Sequence, residues 1–255
     1  MSRSRSCLVR ATTTALLFVM PVHASQAGSV KRPVVVELYT SQGCSSCPPA
    51  DALLAKLAAR KDVIALSLPV TYWDMLGWKD TLASKANTRR QKAYAAQLGL
   101  GEVYTPELIV DGVSDVVGSR KALVESVIAK RQADETEVPV ALHATSSELQ
   151  IVVGAGNKNS HATIWLFRIL RTATVWIGAG ENGGRALTYH NVVRDVKAVG
   201  LWKGQPFSLD LPRSEIPVAA HDSVVVVVQQ EGYGRIVGAA EIGRPYYGRD
   251  NGRGG

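Results

Sequence analysis

The chain has 255 residues, 46% hydrophobic and 20% charged, with a formal net charge of +7, a globular balance that excludes an intrinsically disordered chain. Its Lys and Arg residues form no cluster interleaved with aromatics, so nucleic acid is not an expected partner. Cysteine is scarce: Cys7, Cys44 and Cys47 are too few for a disulfide framework.

At the N-terminus, Arg3, Arg5 and Arg10 precede an apolar run over 11–22, and Val22-His23-Ala24 offers a small-residue cleavage site. Residues 1–24 read as a secretory signal peptide, the run being short of the roughly 20 residues that span a bilayer. A periplasmic or secreted protein follows, with no stable membrane insertion after cleavage and 26 basic against 22 acidic residues, net +4. Cys7 leaves with that segment and lies before the apolar run, so it is no lipoprotein cysteine.

From residue 30 to 132 the pattern is α/β. Strands are expected over 34–39, 63–68 and 108–110, and helices over about 44–59, 82–98 and 120–130, with prolines Pro48 and Pro49 opening the first and an Asp111-Gly112 turn before the last. The right-handed crossover rule makes the first two strands parallel and sets Cys44 at the carboxyl end of the first, where open α/β sheets place their sites. A polar, acidic stretch over 132–137 marks a boundary. Over 138–243 short β-branched runs at 140–144, 149–153, 162–170, 174–177, 192–198, 207–211, 223–230 and 236–241 predict an all-β, antiparallel sandwich-like domain. Val224 to Val228 lack polar alternation, as in a strand buried on both faces, and residues 244–255 read as a flexible tail.

Cys44-Ser45-Ser46-Cys47 carries the chemistry. Two thiols three residues apart at a helix start close a small disulfide, and the unpaired N–H groups there stabilise a thiolate. Cys44, the more exposed on this reading, is the attacking thiolate, and Cys47, one turn inward, resolves the mixed disulfide. The hydroxyls of Ser45 and Ser46 are placed to donate to the Cys44 sulfur. Glu37, in the first strand, is either a buried general base for Cys47 or a solvent-facing glutamate, and strand alternation does not decide.

Thr105-Pro106 precedes Glu107-Leu108-Ile109-Val110-Asp111-Gly112, and together with the CxxC this segment resembles the thioredoxin-like superfamily over residues 33–130. The resemblance implies a cis Pro106 against the disulfide and a backbone near Thr105 free to pair with an extended thiol-bearing substrate. It also places Glu37 one residue away from a buried acid of the family, while Ser45-Ser46 stand where thioredoxin carries Gly-Pro. The stretches GCSSCPPAD, YTPELIVDG, TYWDMLGWKD and YHNVVR further resemble a family of exported bacterial thioredoxin-like proteins of unassigned function (DUF1223-like), which supplies a fold and an address but no substrate. Tyr72, Trp73 and Trp78 either wall a groove for an apolar peptide segment or pack in the core.

His143, His161, His190 and His221 lack ligand spacing, the Gly-rich stretch over 178–184 lacks the ending of a P-loop and reads as a plain loop, and no Gly-x-Ser-x-Gly elbow occurs. The expected function is therefore an exported thiol–disulfide oxidoreductase that needs no cofactor beyond the Cys44–Cys47 pair. Its expected partners are protein or peptide thiols and disulfides and a redox partner. The alternatives are a non-enzymatic carrier holding Cu(I) with the same two thiolates, for which three Met and no Met-rich tract offer little, and a scaffold whose cysteines stay oxidised.

Overall fold

The computed structural model describes residues 32–134, 138–216 and 222–243, so the signal segment, the tail over 244–255 and His221 lie outside the described residues. The first strand, β1 (Val34–Thr40), is buried along its whole length, as its β-branched and aromatic composition allows. It pairs in parallel with β2 (Val63–Pro69), from Val34 opposite Val63 to Thr40 opposite Pro69. Helix α1 (Pro48–Leu57) makes the crossover. Pro48 and Pro49 suit its first turn, where an N–H has no helical partner, and Leu53, Leu54 and Leu57 pack against Val36, Leu38 and Leu108.

Helix α2 (Lys85–Leu98) covers the other sheet face, opened by the Ser84 hydroxyl accepting from the Asn87 N–H at 3.1 Å and closed by Gly99 in the left-handed region at φ 69°. Strands β3 (Glu107–Val110) and β4 (Ser114–Val117) then form a hairpin antiparallel to β1, and α3 (Lys121–Gln132) packs beside α1. Strand β4 is not among the expected elements, because four residues around one buried valine carry little periodicity. The first helix also starts later than its composition suggests: Cys47 is the N-cap and Cys44 lies in the loop before it.

In the second half come β5 (Val140–Ala144), β6 (Glu148–Val153), β7 (Ala162–Ile177), β8 (Arg185–Trp202), β9 (Phe207–Pro212), β10 (Asp222–Gln230) and β11 (Ile236–Ile242). Eight strands from both halves form one sheet in the order β11-β10-β7-β8-β2-β1-β3-β4, and β5-β6-β9 form a second. The protein is thus mixed α/β with one large, mostly stranded sheet and few helices. The two sheets share a core in which Leu149, Ile151 and Val153 meet Val224, Val226 and Val228. Val225 and Val227 point the other way, into a core with Tyr39, Leu66 and Tyr94, so the valine run is buried on both faces.

Strands expected separately at 162–170 and 174–177 are one strand of 16 residues, and β8 runs for 18. β8 joins the β2 ladder at a single paired position, Ser67 opposite Val192. Next to that pair Asn191 adopts φ 49°, and its amide donates to the Ala65 carbonyl at 3.0 Å in place of a regular ladder bond. Beyond it the β7–β8 hairpin continues as a two-stranded arm alongside α1, its apolar face on Leu82.

One buried cation ties the halves together. Arg90 of α2 donates to both carboxylate oxygens of Glu37 at 2.6 and 3.0 Å, to Tyr94 and to Gln229 Oε1 at 3.0 Å, and lies 5.0 to 5.4 Å from the ring centres of Tyr94, Trp165, Phe167 and Tyr233. Glu37→Ala leaves that guanidinium buried without its counter-charge, so urea unfolding should show a loss of about 3–5 kcal/mol. Arg60→Ala, which breaks two partly exposed pairs, with Asp62 and with Glu125, should cost no more than about 1 kcal/mol.

Candidate functional site

β1 ends at Thr40 and the chain turns through Ser41 to Gly43. Ser41 makes the turn: its hydroxyl accepts from the Gly43 N–H at 3.1 Å and its carbonyl from the Cys44 N–H at 3.2 Å. Asp80 anchors the same loop by accepting from the Gln42 N–H at 2.8 Å while its other oxygen takes the N–H groups of Leu82 and Ala83. The loop delivers a disulfide between Cys44 and Cys47, with Cα atoms 5.4 Å apart. Ser46 Oγ lies 3.3 Å from Cys44 Sγ and, since a disulfide sulfur has no hydrogen, the hydroxyl is the donor.

Two expectations about this corner change. Free N–H groups at the helix start are scarce, because Pro48 and Pro49 have none and those of Ala50 and Asp51 both donate to the Cys47 carbonyl, at 2.9 and 3.1 Å. Cys44 is also not exposed: both cysteines have 0% relative accessibility. The Gly-rich turn at the tip of the β7–β8 arm lies against the backbone of this loop. Asn182, itself buried, donates through Nδ2 to the carbonyls of Gln42 at 3.0 Å and Cys44 at 2.9 Å, while its Oδ1 accepts from Arg185. Glu181, exposed, accepts the Ser45 N–H at 3.0 Å, and the Ser45 contacts hold its carboxyl below the usual range.

Thr105–Pro106 is cis, and the register of Tyr39 opposite Glu107 sets it level with the end of β1, at the sheet edge from which the CxxC loop departs. The Pro106 carbonyl accepts from the Gly118 N–H at 2.9 Å, and a Cβ on Gly118 would stand 2.7 Å from Leu38 Cδ1 and 3.3 Å from Ala50 Cβ, so only glycine lets this strand end approach α1. Thr105 Oγ1, Tyr72 Oη and Trp73 Nε1 are buried and make no hydrogen bond of good geometry, although Gln91 and Thr105 lie close enough to the Tyr72 hydroxyl to lower its pKa. Trp73 packs on Gly43, Trp78 donates from Nε1 to Gln42 Oε1 at 2.8 Å and lies under Gly178 and Gly180 of the Gly-rich turn, and burial pushes the Tyr72 hydroxyl up to about 12. The three aromatics flank the CxxC corner, and all three are part-buried.

Glu37 lies on the α2 face of β1 with Val35 and Tyr39, whereas α1 packs on the opposite face with Val36 and Leu38. Its oxygens are engaged by Arg90, Tyr94 and Tyr39, so it is neither solvent-facing nor on the helix face that carries Cys47. A different acid is. Asp51 sits one turn beyond Cys47 on α1, buried, with Oδ1 lacking a hydrogen bond of good geometry. Burial pushes its carboxyl up to about 7, the nearby Thr40 hydroxyl lowers it and the Asp80 carboxylate raises it. Tyr189, whose hydroxyl also lacks a partner, feels both acids, and a groove of about 600 Å³ between α1 and β8, lined by Asp51, Ala55, Lys56, Leu187, Thr188 and His190, leads from Asp51 to solvent. Beside Pro106, Glu107 is likewise pushed up to about 7 by burial.

Asp51 stands inside the GCSSCPPAD motif, but spacing alone assigns it nothing; Asn182 and Glu181 lie in the stretch read as a plain loop, and no local signal joins them to a cysteine 138 residues away. Among the described residues no group of three or more His, Cys, Asp or Glu is arranged to hold a metal ion.

Residues 35–229 match the family described as protein of unknown function (DUF1223), and the chain belongs to it. Among solved structures it is similar to protein AGR_C_4864 of Agrobacterium tumefaciens, a structural-genomics target, with 37% identity over 82% of this chain and 93% of that one and a TM-score of 0.72. HBP35 of Porphyromonas gingivalis shares the fold at 15% identity, with 85% of this chain and 76% of that one covered and a TM-score of 0.59. Among curated proteins there is no match.

The raised Asp51 carboxyl has a sign that thermodynamics fixes. The folded chain holds this proton more tightly than the unfolded one, so the contribution to stability is full below about pH 4 and is lost as the pH climbs to about 7. Asp51→Asn removes that loss. Urea unfolding of the oxidised protein should show the variant level with wild type near pH 4 and more stable by on the order of 3 kcal/mol near pH 8.

Proposed function

We propose that this member of the DUF1223 family is an exported thiol–disulfide oxidoreductase acting on disulfides or dithiols of other exported proteins or peptides. The observation that carries the reading is the Cys44–Cys47 disulfide, closed across the start of α1 at the carboxyl end of β1, with a serine hydroxyl on the Cys44 sulfur. The order β2-β1-β3-β4, with the CxxC before α1 and Thr105–Pro106 before β3, supports a thioredoxin-like reading of residues 30–132. The signal-like residues 1–24 support export.

In the reducing direction the Cys44 thiolate attacks one sulfur of a partner disulfide, and the other partner sulfur leaves as a thiolate and takes a proton from water. Cys47 then gives its thiol proton to the Asp51 carboxylate and its sulfur attacks Cys44 Sγ. The second partner sulfur leaves, the Cys44–Cys47 disulfide closes, and two electrons have passed to the partner. Asp51 is suited to accept that proton by its place one helical turn from Cys47, by a pKa near neutrality and by the groove through which it returns the proton to solvent. The same steps in reverse oxidise a partner dithiol.

Two variants test the reading. Cys44→Ser should abolish reduction of a protein disulfide such as insulin, and Cys47→Ser should accumulate a covalent adduct with a partner in the exporting cell that dithiothreitol releases. Retained activity in the first, or no adduct in the second, would overturn it.

A further inference from the structure

We propose that the turn over residues 178–184 is a lid that holds the Cys44–Cys47 disulfide out of exchange, with Asn182 as its latch. The inference rests on the redox reading above, but its physical content concerns access alone. Both cysteines are fully covered, and a disulfide with no accessible surface cannot meet an attacking thiolate in line with the S–S bond. Something must move for any exchange to occur, and the geometry points to this turn rather than to α1 or β1. Those elements are packed into the central core, whereas the turn projects from the end of a two-stranded arm with its outer face in water.

The lid has a hinge, a seat and a latch. Gly178, Gly180, Gly183 and Gly184 supply four glycines in seven residues, with Gly180 at φ 75° and Gly184 at φ 78°, so the tip can change conformation at small steric cost. The seat is Trp78: a Cβ on Gly178 would stand 2.9 Å from its ring and one on Gly180 3.4 Å from its Cβ. The latch is the Asn182 amide, oriented by Arg185 on its oxygen so that its nitrogen bridges the Gln42 and Cys44 carbonyls. These two bonds are buried, so breaking them costs more than breaking the exposed bond from Ser45 to Glu181.

The latch grips the backbone of the cysteine that attacks in the proposed mechanism and of Gln42 before it. A partner chain reaching Cys44 must therefore take the place of the turn. Small thiols, which bring no binding energy to displace it, are held off until the lid lifts by itself.

The test is reduction of the full oxidised protein by dithiothreitol, followed as free thiol against time, for wild type, Asn182→Ala and Asn182→Asp. If the lid gates access, the wild-type rate levels off as the reductant concentration rises, because opening becomes limiting, while both variants react at least about tenfold faster. Asn182→Asp is the sharper variant: it keeps the size and the Arg185 contact but faces two carbonyl oxygens with a carboxylate, so a space-filling role predicts no acceleration and a latch predicts the larger one. Unchanged urea midpoints exclude faster reduction through global unfolding. Should the variants fail to fold, amide exchange of Ser45 in wild type decides, since its N–H is freed when the turn lifts and, at a pH high enough that exchange outpaces reclosing, should exchange at the plateau rate. A wild-type rate that stays proportional to reductant and equals that of both variants, or a Ser45 amide exchanging as if unprotected, overturns the lid. Loss of the redox reading would show differently, as a reduced protein that opens and closes normally yet transfers no electrons to protein disulfides.

Discussion

The guanidinium of Arg90 is the constraint on which the rest of the molecule depends. A buried cation is tolerated only where counter-charge and hydrogen bonds surround it, and here they come from widely separated parts of the sequence: Glu37 on β1, Tyr94 on α2 and Gln229 on β10, with the rings of Trp165 and Phe167 from β7 and Tyr233 from the turn after β10. Glu37 alone supplies the counter-charge, and the remaining elements supply the neutral hydrogen bonds and ring faces that replace water around the rest of the guanidinium. The strands of the second half are therefore fixed against the first half by an interaction that loses much of its value if either shifts. β8 then pairs with β2 at one position and swings away at Asn191, and the arm that follows runs along α1 toward the cysteines.

That placement sets the chemistry available to the CxxC. The usual source of thiolate stabilisation, unpaired N–H groups in the first helical turn, is curtailed by Pro48 and Pro49 and by the Cys47 carbonyl, which takes the next two. What remains for a Cys44 thiolate is the Ser46 hydroxyl and the dipole of a ten-residue helix. The exposed Glu181 carboxylate sits on the adjacent Ser45 N–H and opposes negative charge on the sulfur. With the turn closed, these contacts offer a Cys44 thiolate of the proposed mechanism little stabilisation.

Several features of both halves were legible in the sequence, for identifiable reasons. The CxxC, the prolines at the helix start, the parallel strand pair and the two-faced valine strand each rest on local composition, and local composition is what periodicity reads. The long arm was not legible, because Arg171 and Thr172 are exposed and, with Ala173, read as a break between two strands. Glu37 lay beyond strand alternation because neither face of β1 is wet: one side meets α1, the other α2, and the charge is hidden by a partner 53 residues later. Asn182 and Asp51 were invisible as site residues for the same reason. Each matters through neighbours that only the folded chain supplies, a carbonyl of Cys44 in one case and the side chains of Thr40, Asp80 and Tyr189 in the other.

The lid and the acid are also connected through water. Burial is the largest cause of the raised Asp51 carboxyl, and the arm forms the other wall of the groove beside it through Leu187, Thr188 and His190 of β8. Desolvation favours the protonated acid while the arm lies closed, and any loosening that admits water lowers the pKa toward its ordinary value and leaves a carboxylate. On the proposed mechanism that is the form needed when a partner is attached to Cys44 and Cys47 must lose its proton. A displacement reaching from the turn over 178–184 to the groove-lining residues Leu187 to His190 of β8 would both expose the attacking sulfur and ready the base for the resolving one, whereas movement of the turn alone would expose the sulfur and leave the acid as it is. The coupling needs no contact between Asn182 and Asp51, only that both respond to the same two strands.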